Sequence, residues 1–302
     1  MAEKTKGVIK YLLIGLAIFL IYFIAGELGL SLTFGNASVS PVWPATGIAI
    51  TALVLLGYRF WPAIFIGTFL FNLGVTPSFP VSLGIALGNT LEGLAGAYMI
   101  NKYAKGKSAF NNLDTTWKFF LAISIAPIIS AVIGLTSLFF GGFVSSSGLM
   151  PLLFTWWIGD VVGALLVFPL IVAWYNKPPI LIKKERYLEM ILAFLILIII
   201  SLVLFVGWPI QINKSYHLAF LCLPPLLWIA YRSCLRISIL ANFIISAIAI
   251  VGTVFNLGIF NPELGNFPLV VLQLFIGVIT ITTTLLAVIS VEYRKLLMKI
   301  KK

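Results

Sequence analysis

The distribution of positive charge along the chain is the feature that most restricts its fold. About ten apolar stretches alternate with short polar connections. If the N-terminus lies inside, all but one of the 20 Lys and Arg residues fall in the inner connections or at the chain ends, the exception being Lys214. Lys and Arg on short loops set the orientation of membrane helices because such loops favour the cytoplasmic side. The pattern therefore predicts a polytopic membrane protein with both termini in the cytoplasm.

The composition also indicates that the chain lies in a membrane. The mean hydropathy is +1.11, with 61% hydrophobic and only 10% charged residues, whereas a soluble domain needs about 25% charged residues to cover its surface. In a soluble protein a formal net charge of +11 would suggest nucleic-acid binding. Here the basic side chains lie where anionic headgroups are, so we expect membrane lipids as partners and no nucleic acid.

The apolar stretches predict an all-α fold, a polytopic integral-membrane helix bundle of about ten transmembrane helices. Because two of the spans are short, the count lies between about eight and eleven. We interpret residues 1–302 as a single integral-membrane domain, in which 290–302 form a basic cytoplasmic extension of the last helix. The spans are expected near 8–30, 42–57, 60–73, 81–100, 117–141, 150–175, 188–208, 217–231, 235–256 and 267–291.

The outer connections are short and rich in Pro and aromatic residues. They are the segments Ser40 to Pro44, Thr76 to Pro80, and Asn261 to Pro268. None of them is long enough to form a receptor domain. A molecule recognised from outside would therefore have to be small, lipidic or presented by another membrane protein.

Two carboxylates lie deep within apolar spans. Glu92 and Asp160 would each cost on the order of 2.5–3.5 kcal/mol at mid-membrane even on the lenient insertion scale. Glu92 shares an i, i+4 stripe with Gly84, Gly88 and Gly96, and small residues at this spacing let helices approach closely. We therefore expect both acids to face protein.

Other polar and aromatic groups complete a candidate ligand-binding or signal-sensing site. We expect a cavity on the outer side between the second, fourth and sixth spans, holding a cationic or polyhydroxylated ligand, a coupling proton or an ion. The alternative is that neutral acids, hydrogen-bonded between helices, only set the register of the bundle. The candidate residues are Trp43, Asn72, Asn89, Glu92, Trp156, Trp157, Asp160 and Glu27.

The remaining reactive side chains do not form a catalytic pattern. His217 is the only histidine, so neither a His-rich zinc site nor a Ser-His-Asp triad can be assembled. Cys222 and Cys234 lie toward opposite ends of one span, too far apart for a disulfide. We expect no enzyme activity, no metal and no cofactor.

Three ordered motifs stand out. They read SPVWPATGIAITALVLLGYRFWPAIFIGTFLFNL from Ser40, ALGNTLEGLAGAYMI from Ala86 and WWIGDVVGALLVFPL from Trp156, and a less specific LPPLLWIAYR begins at Leu223. Together they closely resemble the membrane-associated sensor domain, type one (the MASE family), over nearly the whole chain. The positions that match its most characteristic pattern are Trp43, Pro44, Gly47, Asn89, Glu92, Trp156, Gly159 and Asp160.

The resemblance implies a sensory input module of a prokaryotic plasma membrane. Such modules precede histidine kinases of two-component systems or the enzymes of cyclic-di-GMP signalling, and some related kinases read a neighbouring membrane protein. The expected partners are thus a cytoplasmic kinase or cyclase, a membrane protein, or an unknown small ligand. This sequence stops at Lys302, so we expect either a stand-alone module or the input half of a longer receptor.

The last span continues into a heptad-like stripe. Leu286, Ile289, Tyr293, Leu296 and Ile300 follow the three, four spacing of a coiled-coil seam. One interpretation is a signalling helix that forms a homodimer or moves an output domain, and the other is a basic amphipathic anchor on headgroups.

Three functions remain open at this stage. We expect a non-catalytic membrane sensor in which changed packing around Glu92 and Asp160 is reported by the last helix. The alternatives are a secondary transporter that uses the same acids for proton or cation coupling, and a scaffold that only binds another membrane protein.

Overall fold

The computed structural model describes residues 2–32, 40–176, 186–209, 215–260 and 267–300. In this part of the chain every regular element is a helix, which confirms the all-α prediction there. The α-helices are α1 Ala2–Ser31, α2 Pro44–Leu56, α3 Trp61–Val75, α4 Phe79–Tyr103, α5 Leu113–Ile125, α6 Pro127–Phe140, α7 Leu149–Asn176, α8 Tyr187–Ser201, α9 Leu223–Arg232, α10 Leu235–Val254 and α11 Phe267–Ile300.

Each predicted span coincides with a helical segment, but the segments differ in length. Among the described residues, six helical stretches are long and apolar enough to cross a membrane by themselves. They are Thr5–Ser31, Leu113–Phe140, Ser146–Asn176, Tyr187–Val206, Leu235–Val254 and Phe267–Ile300. The prediction of about ten crossing helices is thus supported for six of them.

Helix α2 is only about two thirds as long as a membrane span. Its 13 residues extend about 20 Å at 1.5 Å per residue, against a hydrocarbon core of about 30 Å. Most of its residues are buried, so protein rather than lipid surrounds it. The start of α2 therefore lies inside the bundle, where its backbone groups must find protein partners.

The fifth predicted span is a broken helix. Helix α5 ends at Ile125 and α6 begins at Pro127, because proline has no N–H to donate and its ring clashes with the preceding turn. The indole Nε1 of Trp157 donates a hydrogen bond to the carbonyl oxygen of Ser124, at 2.8 Å. Helix α7 thus satisfies a backbone group beside the break.

The glycine stripe of α4 faces protein, as predicted. A Cβ atom at Gly88 would lie 3.2 Å from Ile133 on α6, and one at Gly96 would lie 2.9 Å from Ile50 on α2. Glu92 lies on the same stripe and is 1% exposed. The absence of side chains on the stripe brings α2 and α6 against α4 and encloses the acid.

Helices α2 and α7 approach each other through a second set of glycines. A Cβ atom at Gly47 would lie 2.7 Å from the carbonyl oxygen of Gly163, and a Cβ atom at Gly163 would overlap the carbonyl oxygen of Trp43. This contact brings the start of α2 to the middle of α7.

Basic connections gather at one end of the bundle. The Tyr11 hydroxyl donates to the Arg59 carbonyl at 2.9 Å, and Arg232 forms an ion pair with Glu189 at 2.6 Å. The Arg294 guanidinium, near the end of α11, donates to the Arg232 carbonyl at 3.3 Å. We call this end the basic face. The starts of α1, α3, α8 and α10 and the end of α11 meet there.

The contact between α2 and α7 makes a stability prediction. Gly163→Ala should lower the free energy of unfolding by about 1–3 kcal/mol, because the added methyl group has to displace the Trp43 carbonyl. Gly277→Ala on α11 is the matched control, since a Cβ atom there meets nothing within 4 Å. Thermal unfolding of both variants in detergent checks this. Equal stability of the two variants would contradict the close approach.

Candidate functional site

The carboxyl group of Asp160 joins three helices in the middle of the bundle. It lies 11 residues into α7, or about 16 Å from the start of that helix, and is 1% exposed. The Thr46 hydroxyl on α2 donates to its Oδ1 at 2.9 Å. The Ser130 hydroxyl on α6 lies 3.0 Å from its Oδ2 and equally close to the Pro127 carbonyl. Asp160 therefore holds α2 and α6 to α7.

Glu92 belongs to the same cluster. Its carboxyl group is close enough to Asp160 for the two acids to interact electrostatically. Its Oε1 atom is buried without a hydrogen-bond partner in the described part of the chain. The structure thus brings together the two acids that the sequence placed in separate spans.

The backbone before α2 is not helical, yet its polar groups are satisfied by protein. The Trp43 N–H donates to the Gly159 carbonyl at 3.0 Å. The side-chain amide of Gln273 on α11 donates to the Pro41 carbonyl at 2.9 Å, and the Ser40 hydroxyl donates to the Val42 carbonyl at 2.7 Å. Irregular backbone at membrane depth requires such partners. We call residues 40–43 the rim segment.

A cavity of about 370 Å³ opens beside the rim segment, away from the basic face. Its volume lies within the range of about 300–1,000 Å³ that small-molecule sites occupy. Asp160 lies in its wall, next to side chains from α1, α3, α4, α6 and α7. The lining residues include Trp43, Phe71, Asn72, Asn89, Phe143, Trp156 and Asp160.

Glycines hold the aromatic walls of this cavity. A Cβ atom at Gly29 would lie 2.6 Å from the Trp43 ring, and one at Gly134 would lie 2.6 Å from the Trp156 ring. Phe71 packs edge-on against Trp43, with ring centroids 5.7 Å apart. The rings are therefore fixed by backbone contacts before any ligand arrives.

Most of the predicted site residues meet at this cavity. Trp43, Asn72, Asn89, Trp156 and Asp160 line it, while Glu92 is buried with Asp160. The cavity was expected between the second, fourth and sixth spans, which correspond to α2, α4 and α7. In the structure α1, α3 and α6 also contribute lining residues.

Two of the predicted residues lie elsewhere. Trp157 is directed away from the cavity, because its indole is bonded to the Ser124 carbonyl. Glu27 is exposed on α1 and is not among the residues that line the cavity. The expected grouping of all eight residues is therefore incomplete in the structure.

The sequence analysis missed Thr46, Ser130 and Gln273. Thr and Ser are ordinary in membrane helices and often bond to their own backbone, so nothing local marks these two as partners of an acid. Gln273 was detectable in principle, since it is a large polar residue within an apolar span and is fully buried.

The architecture defines an integral-membrane helix bundle with a cavity lined by polar and aromatic side chains. The sequence matches the family model MASE1 over residues 14–294. The chain therefore belongs to the MASE1 family, whose members are non-catalytic membrane sensory input domains, which confirms the resemblance seen in its motifs. No curated protein and no solved structure matches it.

The bonds of Asp160 can be tested with a double-mutant cycle. Thr46→Val should cost about 1–2 kcal/mol in the parent protein, because it removes a donor from a buried carboxyl group. In an Asp160→Ala background the same change should cost much less, which gives a coupling energy of about 0.5–3 kcal/mol. Unfolding in detergent measures all four proteins.

The control for this cycle is Thr136→Val. The Thr136 hydroxyl is exposed and donates only to the Val132 carbonyl of its own helix, at 2.7 Å. Its effect should add to that of Asp160→Ala. A coupling energy for Thr46 no larger than that for Thr136 would show that the Asp160 bond does not hold α2.

Proposed function

We propose that the chain is a sensory input module of a prokaryotic plasma membrane. It detects a small, lipidic or membrane-protein-borne cue in the cavity beside Asp160 and transmits it through α11 to a cytoplasmic output domain or partner. Membership of the MASE1 family supports the sensory role. The observation that carries the proposal is the contact between α11 and the rim of the cavity.

Gln273 makes that contact. Its Nε2 atom lies 2.9 Å from the Pro41 carbonyl of the rim segment and 3.4 Å from the Thr155 carbonyl of α7. Pro41 lies two residues before Trp43, which lines the cavity. Among the described residues, Gln273 has the only polar side chain by which α11 bonds to the rim segment. A ligand that moves Trp43 would therefore also move the Pro41 carbonyl, which accepts the Gln273 hydrogen bond.

Helix α11 has polar groups that permit a second position. The hydroxyls of Thr280, Thr284 and Ser290 on α11, and of Ser246 on α10, are buried without partners in the described part of the chain. An unpartnered buried hydroxyl costs about 1–3 kcal/mol. A small rotation or shift of α11 that pairs some of them would offset the loss of the Gln273 bonds. A cue then selects between two arrangements of similar energy.

The far end of α11 is suited to output. Ile289, Tyr293, Leu296 and Ile300 are exposed beyond or near the basic face, at the spacing of a coiled-coil seam. We propose that this stripe meets a second copy of the chain or continues into a histidine kinase or a cyclic-di-GMP enzyme. The signal would then leave as a change in helix position.

The proposed orientation places the basic face and both termini in the cytoplasm. Cysteines introduced at Lys105 and Lys295, which lie far apart in the sequence, should react only with reagents that enter the cytoplasm. A cysteine at Phe143, in the loop before α7, should react from outside, while the native Cys222 and Cys234 are buried. Labelling Lys105 and Lys295 from opposite sides would refute this topology.

Signal transfer through Gln273 can be measured as a distance. With spin labels at Lys102→Cys and Lys299→Cys, Asp160→Asn should shift the distance distribution by about 1–2 Å, the usual size of helix shifts in switching proteins. Adding Gln273→Leu should abolish the shift, because α11 no longer bonds to the rim segment. Electron–electron double resonance in nanodiscs gives the measurement.

Thr253→Val provides the control. The Thr253 hydroxyl is buried but bonds only to the Ala249 carbonyl of its own helix, at 2.7 Å, so the shift should survive this change. A shift that persists with Gln273→Leu would exclude the proposed route. Substrate-dependent counterflow in proteoliposomes, abolished by Glu92→Gln, would instead establish the carrier function.

A further inference from the structure

The cavity wall carries side-chain oxygen atoms that can accept hydrogen bonds, on Asn72, Asn89 and Asp160. The side-chain amide of Asn89 donates to the Tyr22 hydroxyl at 3.4 Å, and that of Asn72 donates to the Thr68 carbonyl at 2.8 Å. Each amide group thus donates one of its two N–H groups to the protein and keeps its carbonyl oxygen as a hydrogen-bond acceptor. The Oδ1 atom of Asn89, which is 6% exposed, is buried without a partner among the described residues. A ligand that pairs with the Asn89 oxygen has to supply a hydrogen-bond donor.

The ionisable groups around the cavity are acidic. Asp160 lines it and Glu92 lies behind, while no Lys, Arg or His is among its described lining residues. Two carboxyl groups in one site shielded from water must be balanced by a proton or by a bound cation. The described basic residues that could pair with them lie at the opposite, basic face.

Aromatic rings form much of the remaining wall. Trp43, Phe71, Phe143 and Trp156 all line the cavity, and glycine contacts fix the rings of Trp43, Phe71 and Trp156. A cation over an aromatic face is attracted by the ring quadrupole, most strongly for Trp. Rings that are already positioned lose little conformational entropy on binding.

We propose that the cavity binds a small organic ammonium ion, with its charge toward Asp160, its N–H or O–H donors toward Asn89 and Asn72, and its carbon groups against the aromatic rings. This assignment rests on the proposed sensory function and names the class of the cue. A bare Ca²⁺ or Mg²⁺ ion needs about six or more oxygen ligands, which aromatic walls do not provide. A proton alone needs no cavity of about 370 Å³.

The test uses the full chain in nanodiscs with tetramethylammonium, choline and propylamine as probes. Thermal stability and intrinsic Trp fluorescence should change saturably with these probes at constant ionic strength. The neutral isostere of choline, 3,3-dimethylbutan-1-ol, should have little effect. Asp160→Asn should weaken binding at least tenfold, while Asp114→Asn, an exposed acid paired with Lys118, should not change it.

A second variant tests the site without relying on correct folding of the Asp160→Asn protein. Phe143 lies in an exposed loop, so Phe143→Leu should be tolerated and should weaken ammonium binding about threefold through loss of the ring face. Phe140→Leu is the matched control, because Phe140 is 82% exposed and does not line the cavity. Equal effects of the two variants would overturn the aromatic part of the site.

The outcomes separate this proposal from the sensory one. Absence of a saturable response to every ammonium probe, or an equal response to the neutral isostere or to a polyol such as sorbitol, overturns the ammonium assignment. If the α11 distance still responds to Asp160→Asn through Gln273, the sensory function stands without it. If ammonium ions bind but α11 does not move, the ammonium site is supported and the sensory function is refuted.

Discussion

The buried carboxyl group of Asp160 is the interaction on which the rest of the structure depends. A carboxyl group in hydrocarbon is costly unless its oxygens find donors, and here Thr46 and Ser130 approach it from two different helices. Both donors lie in the first turn of their helices, since α2 begins at Pro44 and α6 begins at Pro127. The acid therefore stabilises an arrangement that apolar packing alone would not select.

The helix terminus at membrane depth leaves backbone groups that need partners, and these groups link the cavity to α11. Gly159 and Gln273 satisfy backbone groups of the rim segment, so α11 bonds directly to the edge of the cavity. Few strong interactions connect the two, and several hydroxyls on α11 stay unpartnered. The proposed signal transfer requires this interface to adopt a second packing at small cost.

Particular elements show how far the sequence could be interpreted. The glycine stripe around Glu92 correctly predicted that this acid faces protein, because helical periodicity places residues i and i+4 on one side. The same reasoning grouped Trp157 with Trp156, although neighbouring residues point about 100° apart on a helix and the structure separates them. The partners of Asp160 come from positions 114 and 30 residues away, and no local pattern indicates such pairs without a set of related sequences.

The sequence by itself determined that the chain is a helical membrane protein with acids enclosed by protein, because hydropathy, charge placement and glycine spacing act locally along each helix. Only the tertiary structure decided that Glu92 and Asp160 share one cluster, that aromatic rings seated on glycines wall a cavity beside it, and that Gln273 connects the cavity to the last helix. Those features depend on contacts between distant segments. Their geometry is set by how the helices pack, which is a property of the whole bundle.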